Sequence, residues 1–455
     1  MLGSGDPKGQ QGVFGNDLAT MLDPNHRLYR LATIIPWNAI EQDLRPLYAQ
    51  KGRPSLPVRL MAGLTILKHT FDFSDEDLVE QWRQNPYWQH FCGETHFQWR
   101  LPCDPSEMTR FRKRIGEAGC ERILKASLDI QKQRVDVTQD VVIDSTAQEK
   151  NITYPTFSKL DVKVIERCRT IAAAQGIELR QSYTRVVSKL RIQARSYRHK
   201  NPAVRQKARK AERRIRTIAK CLWREIQRKL DPKRLPDHTE MIRRMGIAVR
   251  QTAEPGSERI HSLHEPDVVC IAKGKPHKPY EFGSKVSLAV DPRSGLVVAA
   301  HHMPGKQHDR ASVPDSLAQI KRLIGQVPKR VIADLGYRGK ATEGTTQIIT
   351  PAALITTKGS TKTRLRRALR RRQVVEATIG RLKFLHRLGR NFLAGLIGDK
   401  MNVILAAAGH NFRAWLRLFL ALCTFCSRQG VFANWSRPPL RLRPDNPDQT
   451  MGYAA

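Results

Sequence analysis

Acidic residues are scarce in this 455-residue chain: 42 Asp and Glu stand against 79 Lys and Arg, a formal charge of +37. That imbalance excludes the charge-balanced surface of an ordinary soluble enzyme. It makes a polyanion the expected partner, nucleic acid first and an anionic membrane surface second. Long apolar runs are also missing. The most apolar stretch, Trp415 to Cys426, is short and contains Arg417, whereas a membrane span needs roughly 20 apolar residues. A buried helix is expected there, and no membrane association. The opening residues, Met1 to Lys8, form no apolar signal segment, and the eight cysteines are scattered without a disulfide framework. A reduced, cytoplasmic protein is therefore expected. His261-x-x-His264 with Cys270, and Cys423-x-x-Cys426, lack a second half at structural-zinc spacing, so zinc is not expected.

The scarcity of acid becomes informative between Gly344 and Gly398, where twelve Lys or Arg surround one carboxylate, Glu376. Read as a helix, this stretch puts Val375, Ile379, Leu382 and Leu385 on a buried stripe. Arg372, Glu376 and Lys383 fall along its edge at i, i+4 and i+11. A lone carboxylate between cations suits a metal ligand with a polyanion lying across it.

Residues 1 to 23 have no periodicity and read as a flexible arm. Residues 24 to 136 read as a helical N-terminal domain. Pro57 to His69 has the spacing of an amphipathic helix, Ser74 that of a cap, and Asp104-Pro-Ser-Glu107 that of a capped helix start. The helix opened by Asp104 carries Arg110, Arg112, Lys113 and Arg114, of which Arg112 and Lys113 are candidate DNA contacts. Trp82, Trp88, Trp99 and Phe97 read as packing residues.

At Asp140 the texture changes. Val141-Val142-Ile143 reads as a buried strand ending in Asp144, and Arg330 to Ala333 as another ending in Asp334. Strands are also expected over Tyr280 to Val290, Leu296 to His302 and around Ile348. Asp309 reads as a helix cap, with an indirect role at the site for His308. An insert at about 160 to 250 interrupts the sheet; residues 161 to 250 hold 26 basic and 8 acidic residues. Within it Val204, Ala208, Ala211, Ile215, Ile218, Leu222, Ile226 and Leu230 mark the seam of a long helix. Its other faces offer Arg205, Lys207, Arg209, Lys210, Arg213 and Arg214 to phosphates. Residues 428 to 455 read as a disordered tail.

Two strand-end Asp and one helix Glu in so basic a chain point to a three-carboxylate site for two Mg²⁺ or Mn²⁺ ions acting on double-stranded DNA. At these residues the chain resembles bacterial insertion-sequence transposases with a DDE triad, of the insertion-sequence-five type with an InsH-like N-terminal domain. Asp144-Ser-Thr is similar to the family's first catalytic strand, Asp334-x-Gly336-Tyr337 to its second motif, and Arg372-x3-Glu376-x6-Lys383 to its third. Gly52-Arg-Pro and Asp72-Phe-Ser-Asp75-Glu76 look like its N-terminal domain. The family's signature has Tyr three residues before the Arg, where this chain has Leu369 and so no hydroxyl to meet DNA.

The resemblance implies a mixed α/β fold, with an RNase H-like catalytic domain over 137 to 427 preceded by a helical DNA-binding domain. Asp144, Asp334 and Glu376 would be the catalytic metal ligands, with Arg372, Arg381 and Lys383 beside them on DNA. The activity implied is cleavage at terminal inverted repeats and transfer of the 3′-hydroxyl ends into target DNA, by a homodimer in the synaptic complex. A structure-specific nuclease with the same core, or an inactive relative that only binds DNA, remains the alternative.

Overall fold

The computed structural model describes residues 17–48, 51, 54–231, 235–252, 258–272, 278–305 and 307–428. The arm up to residue 16, the Gly52-Arg53 stretch and the tail from residue 429 lie outside the described residues. Residues 17 to 22 do not have the character expected of an arm: Asp17 caps a helical turn and Leu18 is fully buried.

The N-terminal helices are α1 (Leu18–Met21), α2 (Arg27–Ile34), α3 (Trp37–Leu44), α4 (Val58–Phe71), α5 (Asp75–Gln84), α6 (Pro86–Phe91) and α7 (Pro105–Asp129). Their starts follow the cap chemistry of the sequence. The Ser74 hydroxyl accepts from Asp77 N–H at 3.0 Å, and the Asp104 carboxylate accepts from Ser106 N–H at 2.9 Å with Pro105 in the first turn. Helix α4 departs from the amphipathic expectation. It packs against α3, α5, α7 and the last helix, so Lys68 and His69 are buried along with its leucines. Trp82 and Trp88 are core residues, whereas Trp99 is 81% exposed, against expectation.

Strand β1 (Asp140–Glu149) opens the sheet. The insert follows as α8 (Phe157–Ala174), α9 (Thr184–Ala194), α10 (Pro202–Lys229) and α11 (Leu235–Arg250). Then come β2 (Val269–Ala272), β3 (Tyr280–Val290), β4 (Val297–Met303), α12 (Val313–Ile324), β5 (Arg330–Ile332), β6 (Thr342–Glu343), β7 (Thr346–Ile349), α13 (Ala353–Thr356), α14 (Gly359–Arg370), α15 (Gln373–Leu385) and α16 (Gly395–Arg428). The sheet is mixed, in the order β2-β3-β1-β5-β7-β6, with β4 also paired to β3. β1 runs antiparallel to β3 and parallel to β5, which runs parallel to β7. This is the mixed α/β layout expected of an RNase H-like core.

Two apolar cores result. One joins the N-terminal helices, the sheet and α16; the other lies inside the insert and contains Ile215, Ile218, Leu222 and Ile226 of α10 with Val164, Ile165 and Cys168 of α8. The α10 seam is buried as its spacing predicts, apart from half-exposed Val204. No helix among the described residues is long and apolar enough to cross a membrane.

Candidate active site

The sheet register sets the site. β1 and β5 pair in parallel with Val142 opposite Ile332, so the two segments carry Asp144 and Asp334 to the same end of the shared ladder, close enough for the charge of Asp334 to act on the Asp144 carboxyl. Asp144 is not at a strand end as expected. β1 continues five residues beyond it to Glu149, because its polar second half is paired with β3 and buried residues such as Gln148 find partners in Ser284 and Asn402. Asp334 does follow the last residues of its strand and opens a tight turn, with its carboxylate accepting from Gly336 N–H at 2.8 Å.

Helix α15 brings the third carboxylate. It packs on β1 and β3, burying Val375, Thr378 and Leu382. Its start is tied down by Asp140, a buried carboxylate at the head of β1 that receives Arg371 at 2.7 Å and Arg330 at 2.6 Å. Arg372 then reaches both acids, with one guanidinium nitrogen 2.8 Å from Glu376 and another 3.9 Å from Asp334. The helix expected to run through Arg372 is instead broken there: α14 stops at Arg370 and α15 begins at Gln373.

Sequence reasoning missed a fourth acid. Asp309, expected to be a helix cap, accepts from the Ser145 hydroxyl and pairs with Lys285 at 2.7 Å. A Cβ on Gly336 would stand 2.9 Å from the Asp309 carboxylate and 3.0 Å from that of Asp334, so any larger residue there would push the two carboxylates aside. Burial raises the Asp144 carboxyl to about 6, helped by the negative charges of Asp334 and Asp309 and opposed by Ser145 N–H and Arg372. Tyr337 is buried beside these acids, and burial and their charges hold its hydroxyl far above the usual range.

Oxygen donors of this kind suit Mg²⁺ or Mn²⁺ rather than a softer metal. The crowding of Asp144, Asp334 and Asp309 is the electrostatic condition that a bound cation relieves. Among the described residues no three His, Cys, Asp or Glu side chains form a ready metal cluster. Glu376, exposed at the start of its helix, faces Arg372 instead of joining the aspartates.

The expected DNA contacts divide. Arg112 is buried and bidentate to Asp75, at 2.9 and 2.7 Å, and has no face left for DNA. Lys383 stands seven residues past Glu376, roughly 10 Å along the helix axis, and lies 3.6 Å from Glu281 on β3. It ties α15 to the sheet rather than standing beside Glu376. Arg205 donates to the carbonyls of His199 and Lys200, half-buried against its own loop. Lys113, Arg381, Lys207, Arg209, Lys210, Arg213 and Arg214 are exposed.

Residues 16–114 match the family described as Transposase domain (DUF772), and residues 259–412 match Transposase DDE domain. The second match contains Asp309, Asp334 and Glu376 but begins after Asp144, which the pairing of β1 with β5 brings towards Asp334. A curated relative, the uncharacterized protein ORF8 in the nfe locus of Rhizobium meliloti, is 43% identical over 195 residues, 42% of this chain and 94% of the relative. No solved structure matches with significance.

Proposed function

Since this chain belongs to the insertion-sequence transposases that carry a DDE domain, we propose that it cleaves DNA at the terminal inverted repeats of an element and joins the freed 3′-hydroxyl ends to target DNA. Asp144, Asp334 and Glu376 are the carboxylates that hold two divalent ions, Mg²⁺ or Mn²⁺. The observation that supports this most is the pairing that carries Asp144 and Asp334 to the same end of one ladder, with Arg372 linking Asp334 to Glu376.

When bound, such ions activate an attacking oxygen and stabilise the leaving oxygen of an in-line displacement at phosphorus. The chain's own residues supply placement and charge. Arg371 and Arg330 lock the start of α15 to β1 through Asp140, fixing where Glu376 projects. Arg372 keeps Glu376 and Asp334 within one guanidinium's span and meets the phosphate that enters between them. Lys285 and Ser145 hold Asp309 against the turn of Gly336, which fixes Asp334 from behind. Arg381 and the exposed cations of α10 bind the duplex backbone, and Lys113 on α7 extends that contact. The active species is a homodimer on paired ends, acting on DNA in the cytoplasm.

A strand-transfer assay on linear DNA carrying candidate terminal repeats, with Mg²⁺ or Mn²⁺, tests this reading. Cleavage followed by joining, abolished by Asp334→Asn while end binding persists, is the expected result. Cleavage without joining identifies a nuclease. Binding without either identifies a DNA-binding relative.

A further inference from the structure

A cavity of about 1170 Å³ opens where α8 and α10 of the insert meet β2 and β3. The proposed chemistry makes no use of it beyond Arg209 and Arg213, which also belong to the exposed face of α10. Its wall combines two kinds of side chain. Tyr154, Phe157, Tyr197 and Tyr280 are all more than a third exposed, unusual for large rings, and Phe282 stands edge to face with Tyr154 at 5.2 Å. Between them come Arg198, Arg209, Arg213 and Arg216. The Arg216 guanidinium lies over the Phe157 ring at 5.0 Å, and that of Arg198 over Tyr197 at 5.3 Å.

A third feature asks for a ligand directly. Asp161 lines the same cavity with 1% of its surface exposed. One carboxylate oxygen accepts from Arg216 at 3.1 Å, while the other is buried without any hydrogen-bond donor. Buried acceptors are nearly always satisfied, and an unsatisfied one is costly. An occupant bringing an N–H to that oxygen removes the cost.

Rings for stacking, guanidinium groups for phosphate and a carboxylate oxygen for an N–H edge match the parts of a nucleotide whose base is free of its duplex partner. A paired duplex cannot use this wall, because its bases are already stacked on each other. The volume of about 1170 Å³ lies just above the roughly 300 to 1,000 Å³ of sites for drug-sized ligands, room enough for a nucleotide. Phe282 lies six residues before Leu288, the Cα partner of Asp144. At about 3.3 Å per residue that is roughly 20 Å, the rise of about six nucleotides at 3.4 Å each.

We propose that this cavity binds unpaired nucleotides of a single DNA strand about six positions from the phosphate that is cut. The inference rests on DNA being the substrate, as argued above. It adds that the insert does more than neutralise phosphates, because it captures bases that leave the duplex.

The test uses the full-length protein and fluorescence anisotropy with three labelled probes. These are a mixed-sequence single strand, a strand of equal length built only from abasic sites, and a duplex. The mixed strand is expected to bind at least about tenfold more tightly than the abasic strand, since stacking contributes on the order of five- to a hundredfold per base. The double substitution Tyr154→Ala with Tyr280→Ala removes that preference and leaves duplex affinity unchanged. Equal binding of the mixed and abasic strands by the parent protein overturns the proposal without relying on any variant. Equal losses on all three probes overturn it as well. A protein that binds the duplex but does not discriminate the single strands leaves the transposase reading intact, whereas one that binds no probe overturns both.

Discussion

The insert and the sheet both carry dense positive charge, but they dispose of it in opposite ways. On α10, Lys207, Arg209, Lys210, Arg213 and Arg214 project into solvent, on a helix held by a core of its own. Around the sheet, Arg330 and Arg371 converge on Asp140, Arg372 on Glu376 and Asp334, and Lys285 on Asp309. Exposed cations that lack partners give affinity that depends on their number. Cations tied to carboxylates give geometry, and losing one moves something else. The two regions should therefore respond differently to the same kind of substitution.

The largest contrast is expected at the carboxylates. Asp144→Asn or Asp334→Asn should lower single-turnover cleavage by at least about 10³-fold, more than the 10² to 10³ that losing one positioned donor costs. End binding, measured by gel shift, should be unchanged. Next comes Arg371→Ala, which touches no carboxylate of the proposed triad but releases α15 from Asp140. A displacement on the scale of 1 Å at the reacting groups costs about 10²-fold, and cleavage should fall by that order with duplex affinity unaffected. An equal loss of affinity would put Arg371 on DNA and erase the distinction between the two regions.

On the insert, replacing Lys207, Arg209, Lys210, Arg213 and Arg214 together with Ala should reduce the slope of log K against log salt by about 0.9 for each lost contact. The cleavage rate at saturating DNA should not change. An unchanged slope would assign this face of α10 to protein contacts.

A smaller effect concerns the shared core rather than either charged region. Burial pushes His386 down to about 3 and His410 down to about 4, where they stay neutral against the carbonyls of His69 and Gly295. In the unfolded chain both titrate near 6.5. Below that pH the unfolded state binds the extra protons, so these groups remove stability progressively between about 6.5 and 4. The urea midpoint should fall from about pH 7.5 to about pH 5, and His386→Gln should flatten that fall. A midpoint independent of pH would mean that these rings are accessible to protons in the fold.

The same contrast explains what the sequence disclosed. The α10 seam was legible because Ala208 to Ile226 repeats within one helix, and the caps at Ser74 and Asp104 because they act over three residues. Asp334 was legible from an apolar run followed by Asp and Gly. Contacts between distant segments were not. Arg112 read as a DNA contact because nothing nearby announces Asp75, 37 residues away. Asp309 read as a cap because its partner Ser145 lies 164 residues earlier. Lys383 matched a motif spacing while its place on α15 turned it towards Glu281. The extent of β1 was missed because Ser145 to Glu149 has no apolar run. Its burial comes from β3 and α16, which contribute Ser284 and Asn402 to Gln148.

Glu376 is the least constrained of the three carboxylates, exposed and held by Arg372 instead of grouped with Asp144 and Asp334. Single-turnover cleavage of repeat-ended DNA by Glu376→Gln, titrated with Mn²⁺, therefore tests the assignment most directly. The prediction is no cleavage at any Mn²⁺ concentration, with end binding equal to that of the parent protein. Cleavage at the parent rate would contradict the three-carboxylate site.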